Sequence, residues 1–227
     1  MRTTTGPRAP QLPGHVEVVC GPMFAGKSEE LLRRVRRARF AGLVVEVASH
    51  VVDGRRGVGS VSSHSGLAVP AVACADVADL ERHALEALDG SRAGGSGGDG
   101  SRGDGSGAGG AGLDVLAIDE AQFFGPGLVG AVQRLAGAGL VVLVAGLDVT
   151  FEARPFEPLP SLCALAERVT RLTAVCGVCG ADAAFHERVE TAPAASGAAE
   201  DARAELVGGA ESYVARCRHH LARTPSA

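Results

Sequence analysis

Residues 15–28 carry the sequence HVEVVCGPMFAGKS, an apolar run followed by a glycine-rich segment that ends in Lys27 and Ser28. The spacing Gly21-x-x-x-x-Gly26-Lys27-Ser28 satisfies the phosphate-loop pattern, and it lies between a predicted strand and a predicted helix, as that pattern requires. Glycines let backbone N–H groups curl around phosphate oxygens, and the N-terminus of the helix adds a favourable dipole. We therefore predict a nucleotide site made of Gly21, Pro22, Met23, Phe24, Ala25, Gly26, Lys27 and Ser28.

Two of these side chains have specific expected tasks. Lys27 can neutralise the β- and γ-phosphates of a nucleotide, and the hydroxyl of Ser28 can ligate Mg²⁺. An acidic partner is expected from a neighbouring strand, and the stretch VLAIDE supplies Asp119 and Glu120 at a predicted carboxyl end, where α/β sheets bind ligands. Adjacent strand residues point in opposite directions, so one carboxylate can serve Mg²⁺ while the other acts as a general base. The alternative is that Asp119 caps the next helix and Glu120 is merely exposed.

The sequence around these motifs alternates strand-like and helix-like segments. Apolar strand candidates at 15–20, 43–49, 113–120 and 139–148 are separated by helical patterns, which predicts an α/β fold with a parallel sheet of the phosphate-loop NTPase type, flanked by helices. We expect an N-terminal arm at 1–14, a nucleotide-binding domain at 15–170, a small metal-binding domain at 171–221 and a tail at 222–227. Residues 90–112 are roughly half glycine and are expected to be a flexible insertion in the first domain.

Two cysteine motifs with the same spacing indicate a metal site. Cys176-Gly-Val-Cys179 is one, and Cys217-Arg-His-His220 repeats its two-residue gap. Three thiolates and one imidazole suit tetrahedral Zn²⁺, and a closed set of four ligands indicates a structural site. His219 is the competing fourth ligand, and a redox dithiol at Cys176 and Cys179 is the competing function. The other cysteines, Cys20, Cys74 and Cys163, lie in apolar runs and are expected in the core.

Composition limits the function classes. The chain has 227 residues, 46% of them hydrophobic, and a net charge of −4, which argues against a general nucleic-acid or anionic-membrane binder. It shows neither an apolar run long enough to span a bilayer nor a signal peptide. Paired cysteines without a secretion signal point to a reducing compartment. We expect a cytoplasmic protein with no membrane partner.

Five motifs in order carry a resemblance to a known family: GPMFAGKSEELLRRVRR, IDEAQFF, GLDVTFEARPF, LTAVCGVCG and CRHH. Together they resemble the thymidine kinases of the zinc-containing, phosphate-loop type. The resemblance covers roughly residues 15–221 apart from the insertion at 90–112.

The resemblance implies roles for particular residues. In that family the glutamate matching Glu120 deprotonates the nucleoside 5′-hydroxyl, the aspartate matching Asp119 belongs to the magnesium shell, and the DEAQ stretch adds Ala121 and Gln122 to the nucleotide site. The thymine is held by apolar side chains and by a lasso-like loop of the zinc-bearing domain. The matching positions are Met23, Phe123, Leu147, Phe151, Phe156, His186, Leu206, Gly208 and Tyr213.

Three short sites depart from the family pattern. Ser65 replaces an aspartate or asparagine in a loop near the phosphates, Ser49-His50 stands in place of a Lys-Pro-like pair, and His186 takes the place of a threonine that touches the thymine. The last departure bears on base selectivity more than on kinase activity.

The implied reaction is ATP-dependent phosphorylation of the 5′-hydroxyl of thymidine, and of deoxyuridine, with Mg²⁺ and a structural Zn²⁺. The family also implies a homotetramer and feedback inhibition by thymidine triphosphate. The alternatives are a pyrimidine nucleoside kinase with altered base choice and a non-catalytic zinc-ribbon module that binds nucleotide or nucleic acid. The acidic balance counts against the second alternative.

Overall fold

A computed structural model of the chain describes residues 13–52, 60–62, 68–90, 112–189 and 212–222. Several sequence predictions lie outside these residues: nearly all of the N-terminal arm, the insertion except its two ends, Ser65, and the loop positions Leu206 and Gly208. The predicted division into two domains stays a prediction.

The described residues form helices and strands with the following bounds. The α-helices are α1 (Lys27–Phe40), α2 (Val77–Leu88), α3 (Leu128–Gly137) and α4 (Leu159–Leu165), and a short 3₁₀ helix covers Ala121–Phe124. The strands are β1 (His15–Gly21), β2 (Val45–His50), β3 (Ser60–Ser62), β4 (Ala68–Pro70), β5 (Val72–Cys74), β6 (Val115–Ile118), β7 (Val141–Leu147), β8 (Arg168–Arg171), β9 (Ala174–Val175), β10 (Asp182–Ala183), β11 (Phe185–Arg188) and β12 (Tyr213–Arg216).

Six parallel strands form the main sheet, in the order β5-β2-β6-β7-β1-β8. This confirms the predicted fold class, an α/β protein whose parallel sheet is flanked by helices. Because the strands are parallel, the residues that follow β1, β7 and β6 meet at one edge of the sheet. The end of β7 therefore lies between the phosphate loop after β1 and the acidic pair after β6.

Each face of the sheet is covered by helices. Successive residues of a strand point to opposite faces, so Val18 packs with α2, α3 and α4 on one side and Val19 packs with α1 on the other. Leu31, Leu32 and Val35 of α1 are all fully buried against the sheet. Each such side chain stabilises the fold by roughly 1.5–3 kcal/mol relative to an exposed position. The strands formed by these apolar runs therefore contribute side chains to the hydrophobic core on each face of the sheet.

Local sequence explains where the main helices begin. Gly26 adopts a left-handed conformation with φ 82°, which a glycine accepts without steric cost, and α1 starts at the next residue. At α2 the side chain of Asp76 accepts a hydrogen bond of 2.8 Å from the backbone N–H of Asp79, so Asp76 is the cap. The basic Arg37 and Arg39 lie in the last turn of α1, where they complement the helix dipole.

Two small hairpins carry the C-terminal cysteine motifs. β9 pairs with β10 around Cys176 and Cys179, and β11 pairs with β12 just before Cys217. Ala25 of the phosphate loop packs against the buried alanines and cysteines of these hairpins. The hairpins therefore lie directly against the end of β1.

Candidate functional site

The backbone of the phosphate loop, residues 21–28, is tightly constrained. Gly21 is irreplaceable on steric grounds, because a Cβ built there would lie 2.4 Å from the carbonyl oxygen of Leu172. Phe24 adopts a positive φ of 66°, which is uncommon for a residue with a side chain. Such strain is typically concentrated at functional sites, where surrounding structure maintains it.

Lys27 points back into its own loop. Its Nζ atom donates a hydrogen bond of 2.7 Å to the carbonyl oxygen of Pro22. Burial lowers the pKa of the Lys27 ammonium group, and the nearby carboxylates of Glu120, Asp119 and Asp148 oppose that lowering. The lysine charge is thus held by acidic groups at the sheet edge.

The acidic pair follows β6, where the sequence predicts it. Asp119 is buried, and its backbone N–H donates to the carbonyl oxygen of Ala48 on β2. Glu120 adopts a left-handed backbone conformation with φ 49°, again an uncommon state for a residue with a side chain. Both carboxylates lie near enough to Lys27 of the phosphate loop to interact with its charge.

Gln122 joins the acidic pair to the end of β7. Its Nε2 atom donates a hydrogen bond of 2.5 Å to Oε2 of Glu120. Its Oε1 atom accepts a hydrogen bond of 3.1 Å from the backbone N–H of Leu147. Gly146 leaves room for this arrangement, since a Cβ there would lie 2.8 Å from Oε1 of Gln122. Both ends of the buried amide are therefore satisfied.

An apolar cluster lies next to the phosphate loop. It consists of Met23, Leu147 and Tyr213, with Phe151 and Phe156 packed against them. These five residues come from the phosphate loop, β7, β12 and the segment after β7, and all five belong to the predicted nucleoside set. Flat aromatic and apolar side chains grouped in this way suit a planar heterocyclic ring.

The remaining members of the predicted nucleoside set have different positions. Phe123 is buried on the 3₁₀ helix, with its ring centroid 6.4 Å from that of His50. Leu206 and Gly208 are not among the described residues.

His186 is buried on β11 between the apolar cluster and the phosphate loop. Its ring meets that of Tyr213 edge-on at a centroid distance of 5.7 Å, and its Nδ1 atom lies 3.5 Å from the backbone nitrogen of Met23, which donates to it. Burial and, to a lesser degree, the charge of Lys27 lower the pKa of His186, which is about 4 although Asp148 opposes the change. The imidazole is therefore neutral near pH 7, with Nδ1 as the acceptor.

Cys176, Cys179, Cys217 and His220 converge on one point. Their ligand atoms all lie within 4.8 Å of one another, and within the described ranges His219 is not part of this cluster. The Sγ atoms of Cys179 and Cys217 are 3.8 Å apart, and Nδ1 of His220 lies 3.8 Å from Sγ of Cys176 and 3.2 Å from Sγ of Cys217. Zn–S bonds of about 2.3 Å in a tetrahedron require sulfur atoms about 3.8 Å apart. The cluster thus fits a structural zinc ion.

Electrostatics also favour a metal at the cluster. Hydrogen bonds from the backbone of Cys217 and Val178 lower the pKa of Cys176 to about 6. A thiolate is the form of cysteine that binds metal, so this environment prepares the ligand. Both motifs take part in the cluster, so the second one, Cys217 with His220, is not idle as a redox dithiol at Cys176 and Cys179 would imply.

Asp148 and Arg171 are the charged residues at this edge that sequence reasoning missed. Asp148 follows β7, and its Oδ2 accepts a hydrogen bond of 2.6 Å from Nε of Arg171 at the end of β8. Its Oδ1 is buried and has no hydrogen-bond partner within the part of the chain that the structure describes. The signal was available, because Asp148 follows an apolar strand just as Asp119 does.

A parallel sheet with a glycine-rich phosphate loop after its first strand and an acidic pair after a nearby strand defines an α/β protein of the phosphate-loop class. A sequence model of the thymidine kinase family matches residues 14–89 and 108–221, leaving out 90–107 within the predicted insertion. The thymidine kinase of Deinococcus deserti is 44% identical over 215 residues, which cover 94% of this chain and 98% of that protein. The chain belongs to the thymidine kinase family of enzymes.

Each helix in the described ranges is too short or too polar to cross a lipid bilayer.

Proposed function

We propose that the protein transfers the γ-phosphoryl group of ATP, bound with Mg²⁺, to the 5′-hydroxyl of thymidine, with deoxyuridine as a second acceptor. The observation that carries this proposal is the double position of Met23, which belongs to the phosphate loop and to the apolar cluster. One short segment then contacts both substrates. Gln122 adds a second connection, since it joins Glu120 to Leu147 of the same cluster.

The phosphate side of the site consists of residues 21–28 and Asp119. Backbone N–H groups of the loop would surround the β- and γ-phosphates, with Lys27 leaving the carbonyl oxygen of Pro22 to pair with them. Ser28 and Asp119 would hold Mg²⁺, whose charge offsets the negative charge on the transferring group. Ala121 and Gln122 complete the nucleotide side.

Glu120 is the proposed general base. Gln122 holds one of its oxygens, Oε2, which leaves the other to accept the proton of the 5′-hydroxyl. Glu120 is near enough to Lys27 to interact with its charge, which supports a position close to the bound phosphates. Positioning and charge stabilisation supply most of the rate enhancement in phosphoryl transfer, so a fixed carboxylate at this point is the arrangement that the reaction needs.

The apolar cluster would form the base pocket together with Phe123 and His186, and the family resemblance adds Leu206 and Gly208, which lie outside the described residues. His186, neutral and hydrogen-bonded to the backbone of Met23, occupies space beside the apolar cluster that a smaller side chain would leave open to the base. This is the one observation that favours a changed preference among pyrimidine bases. Thymidine and deoxyuridine differ by a methyl group, and in an apolar pocket such a group is worth about 1–3 kcal/mol.

Zinc has a structural role in this proposal. Cys176, Cys179, Cys217 and His220 would form a closed tetrahedral site that joins the two C-terminal hairpins. Those hairpins carry Tyr213 of the apolar cluster, so zinc would maintain the base pocket without contacting the substrates.

The deciding experiment is a nucleoside panel. Zinc-loaded protein is incubated with ATP and Mg²⁺ and with thymidine, deoxyuridine or deoxycytidine, and the monophosphate is measured. We expect thymidine and deoxyuridine to yield product, and Asp182→Asn, a carboxylate-to-amide change at an exposed position, to leave the rate unchanged. Absence of product from every nucleoside would refute the proposal. A thermal shift with oligonucleotide but not with thymidine would instead favour the zinc-ribbon alternative.

The resemblance extends the proposal to assembly, regulation and location. We expect a homotetramer in the cytoplasm that is inhibited by thymidine triphosphate. Light scattering measures the assembly state, and product formation at increasing thymidine triphosphate measures the inhibition. A monomer would refute the first expectation, and a rate independent of the triphosphate would refute the second.

A further inference from the structure

Two cysteines that the proposed reaction does not use lie behind the phosphate loop. Cys20 is buried on β1, one residue before Gly21, and Cys163 is partly buried on α4. Their Sγ atoms are 3.7 Å apart, although 143 residues separate them in the chain. A disulfide has an S–S distance of about 2.05 Å, so the two sulfur atoms are about 1.7 Å from bonding distance. The fold thus brings together two thiols, Cys20 and Cys163, whose contact no local sequence motif predicts.

The two thiols have different environments. The hydrogen bond with Cys20 lowers the pKa of Cys163, and the positive charge of Arg171 acts in the same direction. The neighbouring Cys163 sulfur and burial raise the pKa of Cys20. Asp148 lies near both sulfur atoms and opposes the ionisation of each. Cys163, which is also the more exposed of the two, therefore ionises first.

A pair with one thiol that ionises readily and one that does not is typical of redox-reactive cysteines. A partly exposed thiolate reacts with an oxidant, and a protected neighbouring thiol then resolves the product. The position of the pair adds a consequence, because Cys20 is held on both sides: it lies opposite Gly146 of β7 and opposite Arg171 of β8. Displacement of the Cys20 side chain would therefore displace the backbone where the phosphate loop begins.

We propose that the thiol pair is a reversible oxidation site that peroxides convert to a Cys20–Cys163 disulfide. The Cys163 thiolate attacks one peroxide oxygen, the O–O bond breaks, hydroxide leaves, and Cys163 becomes a sulfenic acid. The Cys20 sulfur then attacks the Cys163 sulfur, the S–O bond breaks, and the proton of Cys20 leaves with the hydroxyl as water. Two thiols lose two electrons and two protons, and hydrogen peroxide takes up both to become two molecules of water.

The disulfide also lowers kinase activity, and this second part rests on the proposed ATP site. Gly21 cannot follow a displaced Cys20 freely, because the carbonyl oxygen of Leu172 already lies 2.4 Å from the position of its missing Cβ. Bringing the sulfurs together therefore distorts the loop that begins at Gly21. A misplacement of about 1 Å in a reacting group can cost on the order of 100-fold in rate, so we expect turnover to fall tenfold or more on oxidation and to return with dithiothreitol.

Peptide mapping tests the oxidation site without any kinase assay. Zinc-loaded protein is treated with hydrogen peroxide, blocked with iodoacetamide and digested with trypsin. Cys20 is the sole cysteine of the expected peptide 9–27, and Cys163 is the sole cysteine of peptide 135–168, because the bond Arg154-Pro155 resists cleavage. We expect a linked species with the summed mass of both peptides less two hydrogen atoms, which dithiothreitol separates.

Three variants control this experiment. Cys20→Ser and Cys163→Ser must abolish the linked species, and Cys74→Ser, which removes a buried cysteine outside the pair, must retain it. Zinc release is measured in parallel, since the cluster thiols also react with peroxide. Peptides 9–27 and 135–168 that stay unlinked while the cluster thiols oxidise would overturn the proposal. A disulfide that forms only after zinc has been released would also overturn the proposal, because the two cysteines would then react in a protein that has lost its metal site.

Turnover tests the second part separately. Cys163→Ser should match the wild-type rate before oxidation and keep that rate afterwards. A wild-type protein that forms the link and keeps full turnover would refute the coupling to the phosphate loop. Protein that is inactive before oxidation would refute the proposed function, while the peptide map would still decide the fate of the thiol pair.

Discussion

The strongest quantitative prediction concerns the buried imidazole of His186. Its pKa is lowered from 6.5 to about 4, chiefly by burial. The unfolded chain then binds a proton between these two pKa values that the folded chain does not bind, so the free energy of unfolding decreases as the pH falls. This contribution is fully present above the ordinary pKa of 6.5 and is lost by the time the pH reaches the folded-state pKa of about 4. The whole shift corresponds to about 3 kcal/mol, of which about 2 kcal/mol is lost between about pH 7 and pH 5.

His186→Asn isolates that contribution. Asparagine does not titrate in this range, and its Oδ1 can still accept the hydrogen bond from the Met23 backbone. We expect urea unfolding to show that the wild type loses about 2 kcal/mol more stability than the variant between about pH 7 and pH 5. Loss of zinc and titration of other groups affect both proteins and cancel in this difference.

A control variant completes the test. His219→Asn removes an exposed imidazole from the same C-terminal unit and should follow the wild type at every pH. Parallel stability curves for the wild type and His186→Asn would show that His186 titrates normally in the folded protein. The assignment of His186 as a buried, neutral imidazole that accepts a hydrogen bond from Met23 would then be wrong.

Three further predictions follow from the site and from the insertion. Glu120→Gln should lower kcat by on the order of 10²–10⁴-fold while the Kd for ATP stays nearly unchanged, and a near-normal kcat would exclude Glu120 as the general base. Cys217→Ala should remove zinc and thymidine binding together, because metal binding contributes to the folding free energy, and full zinc content by metal analysis would contradict this. Replacing residues 91–111 with a short Gly-Ser bridge should preserve the circular dichroism spectrum and kcat, since the N–H groups of Gly90 and Leu113 both donate to the carbonyl oxygen of Ala87. Loop closure costs only about 0.6 kcal/mol per doubling of length, so a large loss of kcat in a folded variant would assign that segment a function.

The parts of the fold that sequence predicts best are those with a strong apolar pattern. Strands β1, β2, β6 and β7 lie within a few residues of the predicted strand segments, and α1 to α3 occupy the helical patterns between them, because each element buries an uninterrupted or periodic apolar face. Strand β8 has no such face. Arg168–Arg171 forms an edge strand whose side chains are mostly exposed, so arginine and threonine leave it without a continuous apolar signal. The short α4 is missed as well, since Pro160 and Ser161 weaken its helical pattern.

The candidate site divides in the same way. The phosphate loop and the acidic pair can be predicted because each is a local motif at the end of an apolar strand. The apolar cluster is suggested only through the family resemblance, since its members are scattered from Met23 to Tyr213. The hydrogen bond between His186 and Met23 and the contact of Cys20 with Cys163 join residues more than 140 positions apart. Side-chain partners at such separations depend on the packing of the whole fold and leave no local pattern.

The amide of Gln122 has a consequence for motion. Because one end is bonded to Glu120 and the other to the backbone of Leu147, the carboxylate and this wall of the apolar cluster cannot fluctuate independently. An inhibitor bulky enough to displace Leu147 would also displace the Glu120 carboxylate. The same movement would then accommodate the inhibitor in the apolar cluster and remove the general base from its position. Resistance to such a compound would then be expected at Gly146, which lies against the Gln122 amide and is outside the proposed substrate contacts, through a change in stiffness instead of shape.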